Sequence, residues 1–197
     1  MVDVDGVLIV HPHAAGWSVH LERDLGLSAD DLQNYFFNAH WADIICGRAQ
    51  LRERLAPVLL NLAPHLSCSQ LIDYWFSHDA HLNLDLLGEL DALRAQGVKI
   101  HLATVQEHER ARFLWEHLGM RDHFDGLHYA ADLGCAKPEL AFFQLIERRT
   151  RHLPNEIFFI DDRIENVEGA RQAGWNAAHW TQETNLMDLL SDIELNK

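Results

Sequence analysis

Residues 1–10, MVDVDGVLIV, set Asp3 and Asp5 one residue apart inside an otherwise apolar run. Charged side chains are seldom fully buried unless paired, and Asp is depleted in strands, so two of them here require a purpose. Gly6, directly behind them, supplies part of it, because a strand that meets glycine reads as ending where the backbone turns sharply. In open α/β sheets, ligands sit in the crevice at such strand ends. Alternation along a strand lets Asp3 and Asp5 face one side and converge on one object. Two like charges held that close need a cation between them or a shared proton.

From about residue 14 to residue 77 the pattern is helical. WSVHLERDLGL ends at Gly26, SADDLQNYFFNAHW opens on Ser28 as an N-cap, and RAQLRERLAPVLLNLA and LSCSQLIDYWF follow. Then helices and strands alternate. LDLLGELDALRAQG precedes a strand VKIHLAT that ends on Thr104, and EHERARFLWEHLG precedes a short strand GLHYA. KPELAFFQLIERRTRH reads as a helix with Pro138 in its first turn, EIFFIDD as a fully buried strand, ENVEGARQAG as a helix and NAAHW as a last strand. One strand, a helical insert and then repeated helix–strand units predict an α/β fold, a parallel sheet covered by helices on both faces. Asp3, Asp5, Thr104, Asp161 and Asp162 fall at one edge of that sheet, and Lys137 opens a helix between Thr104 and the Asp161–Asp162 pair.

The 197 residues suffice for one core with a smaller inserted unit, and 48% are apolar, as in ordinary globular chains. No apolar stretch is long enough to span a membrane and no basic flank suggests a signal peptide, so a cytoplasmic protein without membrane contact is expected. Three cysteines, widely spaced, suggest neither a disulfide framework nor a thiolate zinc site. Thirty acids against 16 bases give a formal charge of −14, which repels nucleic acid, so a phosphate-bearing ligand needs a local positive site. The 14 histidines, among them His11, His13, His20, His40, His65, His78 and His81, follow no zinc-enzyme spacing and read as scattered surface or half-buried residues.

DVDGV at 3–7, AT at 103–104, AKPE at 136–139 and IDDRIEN at 160–166 resemble, in order and spacing, the four motifs of the haloacid dehalogenase-like hydrolase superfamily. The likeness runs over essentially the whole chain. It implies a Rossmann-like, doubly wound core of residues 1–12 and 80–197, with residues 13–79 as an α-helical cap. The helical cap resembles the subgroup that holds the haloacid dehalogenases, phosphoglycolate phosphatase and β-phosphoglucomutase, and the tail DDRIENVEGARQAG resembles the glucose-1-phosphate phosphatases and the amino-terminal phosphatase of soluble epoxide hydrolase. The resemblance implies Asp3 as nucleophile and Asp5 as general acid and base. It implies Mg2+ held by Asp3, the Asp5 main-chain carbonyl and Asp162, with Asp161 and Asn166 in support. Thr104 and the main-chain N–H of Val105 would bind phosphoryl oxygens, and Lys137 would balance the charge of nucleophile and phosphate. The expected substrate is a small phosphorylated metabolite, a sugar phosphate or nucleotide.

Asp5 favours a phosphatase over a 2-haloacid dehalogenase, since a halide leaves without a proton. A phosphomutase of the same fold and a non-catalytic binding protein are the remaining alternatives. Each acidic pair alone could be a capped strand end or a turn, and only the ordered set argues against accident. The aromatic residues Trp17, Phe36, Phe37, Trp41, Tyr74, Trp75 and Phe76 read mainly as the core of the insert, with some able to face a leaving group. His108, His179 and Arg48 read as non-catalytic.

Overall fold

The computed structural model describes residues 1–13 and 16–194, the last three of these by their backbone alone. Its sheet is built from four short strands and the first residues of the chain. Strands β1 (His101–Thr104) and β2 (Gly126–Tyr129) pair in parallel, as do β3 (Phe158–Asp161) and β4 (Asn176–His179). Val2 joins the two halves through parallel bridges to Leu102 and Ile160, giving the order β2, β1, residues 1–3, β3, β4. Main-chain bonds from Val2 N to His101 O and from Asp3 N to Ile160 O seat that central segment.

The opening strand, expected to run as far as Gly6, ends its sheet pairing at Asp3. Beyond Asp3 the chain folds back on itself: the N–H groups of Leu8 and Ile9 both donate to Val4 O, and Gly6 N donates to Ile9 O. Gly6 has φ +80°, a left-handed conformation that glycine adopts without penalty. Val7, Leu8 and Ile9 are buried through this turn rather than along a strand.

The segment after the turn leads into helices α1 (Leu21–Leu25), α2 (Ala29–Leu32), α3 (Asn38–Ile45), α4 (Leu51–Leu62) and α5 (Cys68–His78). Ser28 accepts from Asp31 N and caps α2 as expected, while Ser67 and Gln70 form a reciprocal capping box on α5. These helices enclose an apolar cluster of their own, with Leu21, Leu32, Phe36, Leu55, Ile72 and Trp75 among its members. The chain enters and leaves this region side by side, with Ile9 bridged to Leu82 and Val10 N donating to His81 O.

Helix α6 (Leu84–Ala95) leads into β1, α7 (His108–Arg112) and a wider turn over Phe113–His117 lead towards β2, and α8 (Ala130–Leu133) follows β2. Helix α9 (Leu140–Thr150) precedes β3, α10 (Ile164–Gln172) joins β3 to β4, and α11 (Leu186–Glu194) closes the fold. One apolar cluster gathers Val4, Leu90, Leu102, Leu114 and Ile160, and another gathers Ala103, Phe142, Phe143, Phe159 and Trp175. Pro138 does not open α9: it sits in a turn after a cis Lys137–Pro138 bond, and Glu139 is the N-cap. No helix among the described residues is long and apolar enough to cross a membrane.

Candidate active site

All strands being parallel, Asp3, Thr104 and Asp161 end at one edge of the sheet. Asp3 is 6% exposed. Its Oδ1 accepts from Val4 N at 2.8 Å and from Lys137 Nζ at 2.8 Å, which leaves Oδ2 without a hydrogen-bond donor among the described residues. Lys137, from the turn ahead of α9, also reaches Asp161 Oδ2 at 2.5 Å and lies 5.1 Å from the Phe159 ring centroid. An ammonium in that position is compensated by two buried carboxylates, the condition under which a buried charge is tolerated.

Asp161 is fully occupied. Besides Lys137 it accepts from Arg163 N at 2.9 Å and from Asn166 Nδ2 at 2.9 and 3.1 Å. Asn166 is placed by the first turn of α10, so this helix start orders the carboxylate that in turn orders the lysine. Oxygens of Asp3, Asp161 and Asp162 lie within 4.8 Å of one another. Three carboxylates against one ammonium leave an excess of two negative charges, and hard oxygen donors of this kind suit Mg2+. With Asp161 saturated, Asp3 and Asp162 are the members free to turn towards a cation, so the residues fit such an ion. The glycine behind them keeps that room open, since a Cβ on Gly6 would lie 2.2 Å from Asp162 Oδ2.

Electrostatics agree with a site built for a positive charge. Burial pushes the Asp3 carboxyl up to about 7, Lys137 pulling against it and Asp161 adding to it. Burial likewise raises Asp162, with the Asp161 charge adding to the effect. Asp5 reaches solvent, yet the surrounding protein desolvates it enough to raise its pKa, Arg110 opposing and Asp79 reinforcing the rise. A cation would favour the ionised forms and reverse the trend.

Two participants were not visible in the sequence. Gln106, 4% exposed, donates its Nε2–H to Asp5 Oδ2 at 2.6 Å and lies 3.4 Å from Thr104 Oγ1, linking those two residues. Arg110 is 2% exposed and donates to the carbonyls of Phe76 and Asp79 at the end of α5. Its guanidinium lies 5.3 and 5.4 Å from the ring centroids of Phe76 and Phe113. Glu107 caps α7 by accepting from Glu109 N and Arg110 N. The stretch QEHER at 106–110 thus ties the exit of the helical region to Asp5. The clue was present as polar residues just past a strand end, but helical spacing alone makes Arg110 look like a surface residue.

Val105, next to Thr104, packs its side chain against the cluster that holds Ala103, so what it can offer the site is its main chain. The histidines and Arg48 play no part in the carboxylate cluster. His11, His13, His20 and His81 make ring contacts with one another where the chain enters and leaves the helical region. His108 faces the Tyr129 hydroxyl, His179 Nε2 contacts the Asp162 carbonyl, and Arg48 pairs with Asp43 on the surface.

A family model described as haloacid dehalogenase-like hydrolase matches residues 1–174. The sesquiterpene phosphatase astK of Aspergillus oryzae is 32% identical over 92 residues, and the match spans 47% of either chain, about half the length of that relative. Among solved structures, a magnesium complex of the HAD family enzyme bt-2542 from Bacteroides thetaiotaomicron superposes with a TM-score of 0.80 at 18% identity, covering 96% of each chain. A HAD-like family hydrolase from Porphyromonas gingivalis gives a TM-score of 0.78 at 19% identity, covering 98% of this chain and 95% of its own.

Proposed function

The chain belongs to the haloacid dehalogenase-like hydrolases, and from that premise we propose that it is a Mg2+-dependent phosphatase acting on a small phosphate monoester through an aspartyl-phosphate on Asp3. One observation carries this reading. The buried Asp3 has one oxygen fixed by Lys137 and Val4 N, the other unbonded, and a second carboxylate, Asp5, held nearby by Gln106. Similarity to a sesquiterpene phosphatase over 92 residues supports a phosphate ester as the substrate class.

Asp3 Oδ2 attacks phosphorus, and the bond from phosphorus to the alcohol oxygen breaks. Asp5 delivers a proton to that departing oxygen, so one hard displacement becomes two easier ones. Asp5 then takes a proton from water as the water attacks the aspartyl-phosphate, releasing inorganic phosphate and restoring Asp3. Lys137 offsets the charge gathered on Asp3 and the phosphoryl group, and Thr104 with the Val105 N–H offers donors to its oxygens. Asp3, Asp162 and the Asp5 carbonyl would hold Mg2+, which supplies positive charge that lets an anionic phosphate approach carboxylates. The helical region over residues 13–79 acts as a cap on the core, excluding bulk water when closed.

The test is phosphate release from acetyl phosphate, para-nitrophenyl phosphate and a panel of monoesters, with Mg2+ or with excess chelator. Turnover that needs the metal, with free phosphate as product, supports a phosphatase. Transfer of the phosphoryl group to a second hydroxyl of the substrate would identify a mutase, and metal-independent halide release a dehalogenase.

A further inference from the structure

A cavity of about 290 Å3 opens between the start of the helical region and the end of α5, near the small end of the range of about 300–1,000 Å3 found for ligand pockets. Trp17, Leu32, Phe37, Trp41 and Trp75 form most of its wall, and Asp79 is its charged member. The aromatic rings are locked together. Trp17 stacks on Trp75 with centroids 5.2 Å apart, while Phe37 meets Trp41 at 5.3 Å and Trp75 at 5.4 Å, edge to face. Trp75 is 8% exposed, and its Nε1–H has no partner among the described residues. A buried donor left unsatisfied calls for an explanation, and a ligand oxygen is one.

Two connections place this cavity beside the carboxylates. Asp79 pairs with Arg110 at 3.4 Å, in the same 106–110 stretch whose Gln106 holds Asp5. Trp41 packs against the helical cluster and also against the sheet-side cluster, on which Val105 packs as well. The lining chemistry is selective. Among its described lining residues there is no lysine or arginine, and the nearby Arg110 is already engaged by Asp79, so a carboxylate or second phosphate on the leaving group would find no free cation there. Ser18, Gln33 and Asp79 supply the polar side chains of the described lining, fewer partners than the several hydroxyls and ring nitrogens of a sugar or nucleoside need, and polar groups left unpaired against the aromatic rings are costly.

We propose that this cavity receives the alcohol portion of the substrate and that this portion is an uncharged, largely hydrocarbon group, making the substrate an apolar alkyl or aryl phosphate. The proposal rests on the phosphatase reading. Phosphate binds at the sheet edge, the tail lies on the indoles, and one oxygen on the tail can accept from Trp75 Nε1–H.

A series of n-alkyl phosphates, from methyl to octyl, tests it. KM should fall about two- to fourfold per added methylene until the cavity is full, the gain expected from burying CH2 groups. A carboxylate at the end of the tail should cancel that gain. Trp41→Leu should flatten the dependence on chain length, each variant being referenced to its own methyl phosphate value. Phe37→Leu is the second variant, should loss of an indole prevent folding. A KM independent of chain length in the wild type, or glucose 1-phosphate and nucleoside monophosphates turned over with higher kcat/KM than every alkyl phosphate, overturns the proposal. If no compound releases phosphate, acetyl phosphate included, the phosphatase reading fails. Tryptophan fluorescence titrated with the n-alkyl alcohols then decides the cavity by itself. A saturable change that strengthens with chain length upholds an apolar site, and an unchanged spectrum overturns it.

Discussion

Gln106 donates to Oδ2 of Asp5 across 2.6 Å, from a position two residues beyond the strand end that carries Thr104. The bond fixes the carboxylate assigned to proton transfer and leaves its other oxygen free to meet the leaving group. Gln106→Leu should therefore lower kcat about tenfold or more for alkyl phosphates, whose alkoxide needs a proton, and much less for para-nitrophenyl phosphate, whose leaving group does not. An equal loss on both substrates would assign Gln106 a structural role only.

Lys137 is the shared cation of Asp3 and Asp161, with side-chain exposures of 0%, 8% and 0% in turn. Lys137→Met strips both carboxylates of their partner inside the protein. Removing one member of a buried ion pair costs about 3–5 kcal/mol. Urea denaturation should show a loss of that order without metal, recovered in part by Mg2+ because a cation replaces the missing charge. A change below about 1 kcal/mol would mean that water enters the cluster and screens it.

Gly6→Ala combines two penalties, a left-handed φ of +80° and a Cβ placed 2.2 Å from Asp162 Oδ2. Alanine at positive φ destabilises by about 1 kcal/mol or more, and displacement of Asp162 should weaken the metal more than the fold. The expected result is at least a tenfold loss of Mg2+ affinity by calorimetry, with turnover partly restored at high Mg2+. Unaltered affinity would remove Asp162 from the proposed ligand set.

His128 on β2 is buried against His101 on β1, Nε2 to Nδ1 at 3.2 Å, with the rings stacked. Burial lowers its pKa from 6.5 to about 4, the His101 charge adding to the effect. Between those values the unfolded chain binds more protons than the folded one. Stability from this group is therefore complete above about pH 6.5 and lost as the pH falls towards 4, by about 3 kcal/mol in all. His128→Leu should make the difference in unfolding free energy between about pH 5 and pH 7 smaller than in the wild type. An identical pH dependence would show that His128 takes up its proton in the folded state.

Much of this architecture could be read from residue order. The alternation of helices and strands after residue 80 corresponds to parallel strands with helical crossovers, and Asp3, Thr104, Lys137, Asp161, Asp162 and Asn166 all fall at the carboxyl edge. The turn at Gly6 was legible in the opening run, but the strand ends earlier than that glycine suggests: sheet pairing stops at Asp3, and main-chain bonds from Leu8 and Ile9 to Val4 already draw the next residues into the turn. Gln106 and Arg110 went unread because their significance depends on partners far along the chain, Asp5 for the first and Phe76 and Asp79 for the second. The aromatic residues of the insert were plain in the sequence, whereas which of them frame a cavity depends on how α2, α3 and α5 meet.

The central claim is that Asp3 forms a covalent link to phosphorus. Its most direct test is acid quenching of the wild-type protein during turnover of acetyl phosphate with Mg2+, followed by peptide mass analysis, beside Asp3→Asn treated in the same way. The expected result is a phosphoryl group on the peptide carrying Asp3, absent from the variant, together with loss of phosphate release in that variant. Phosphate release that persists in Asp3→Asn at wild-type rates would contradict it.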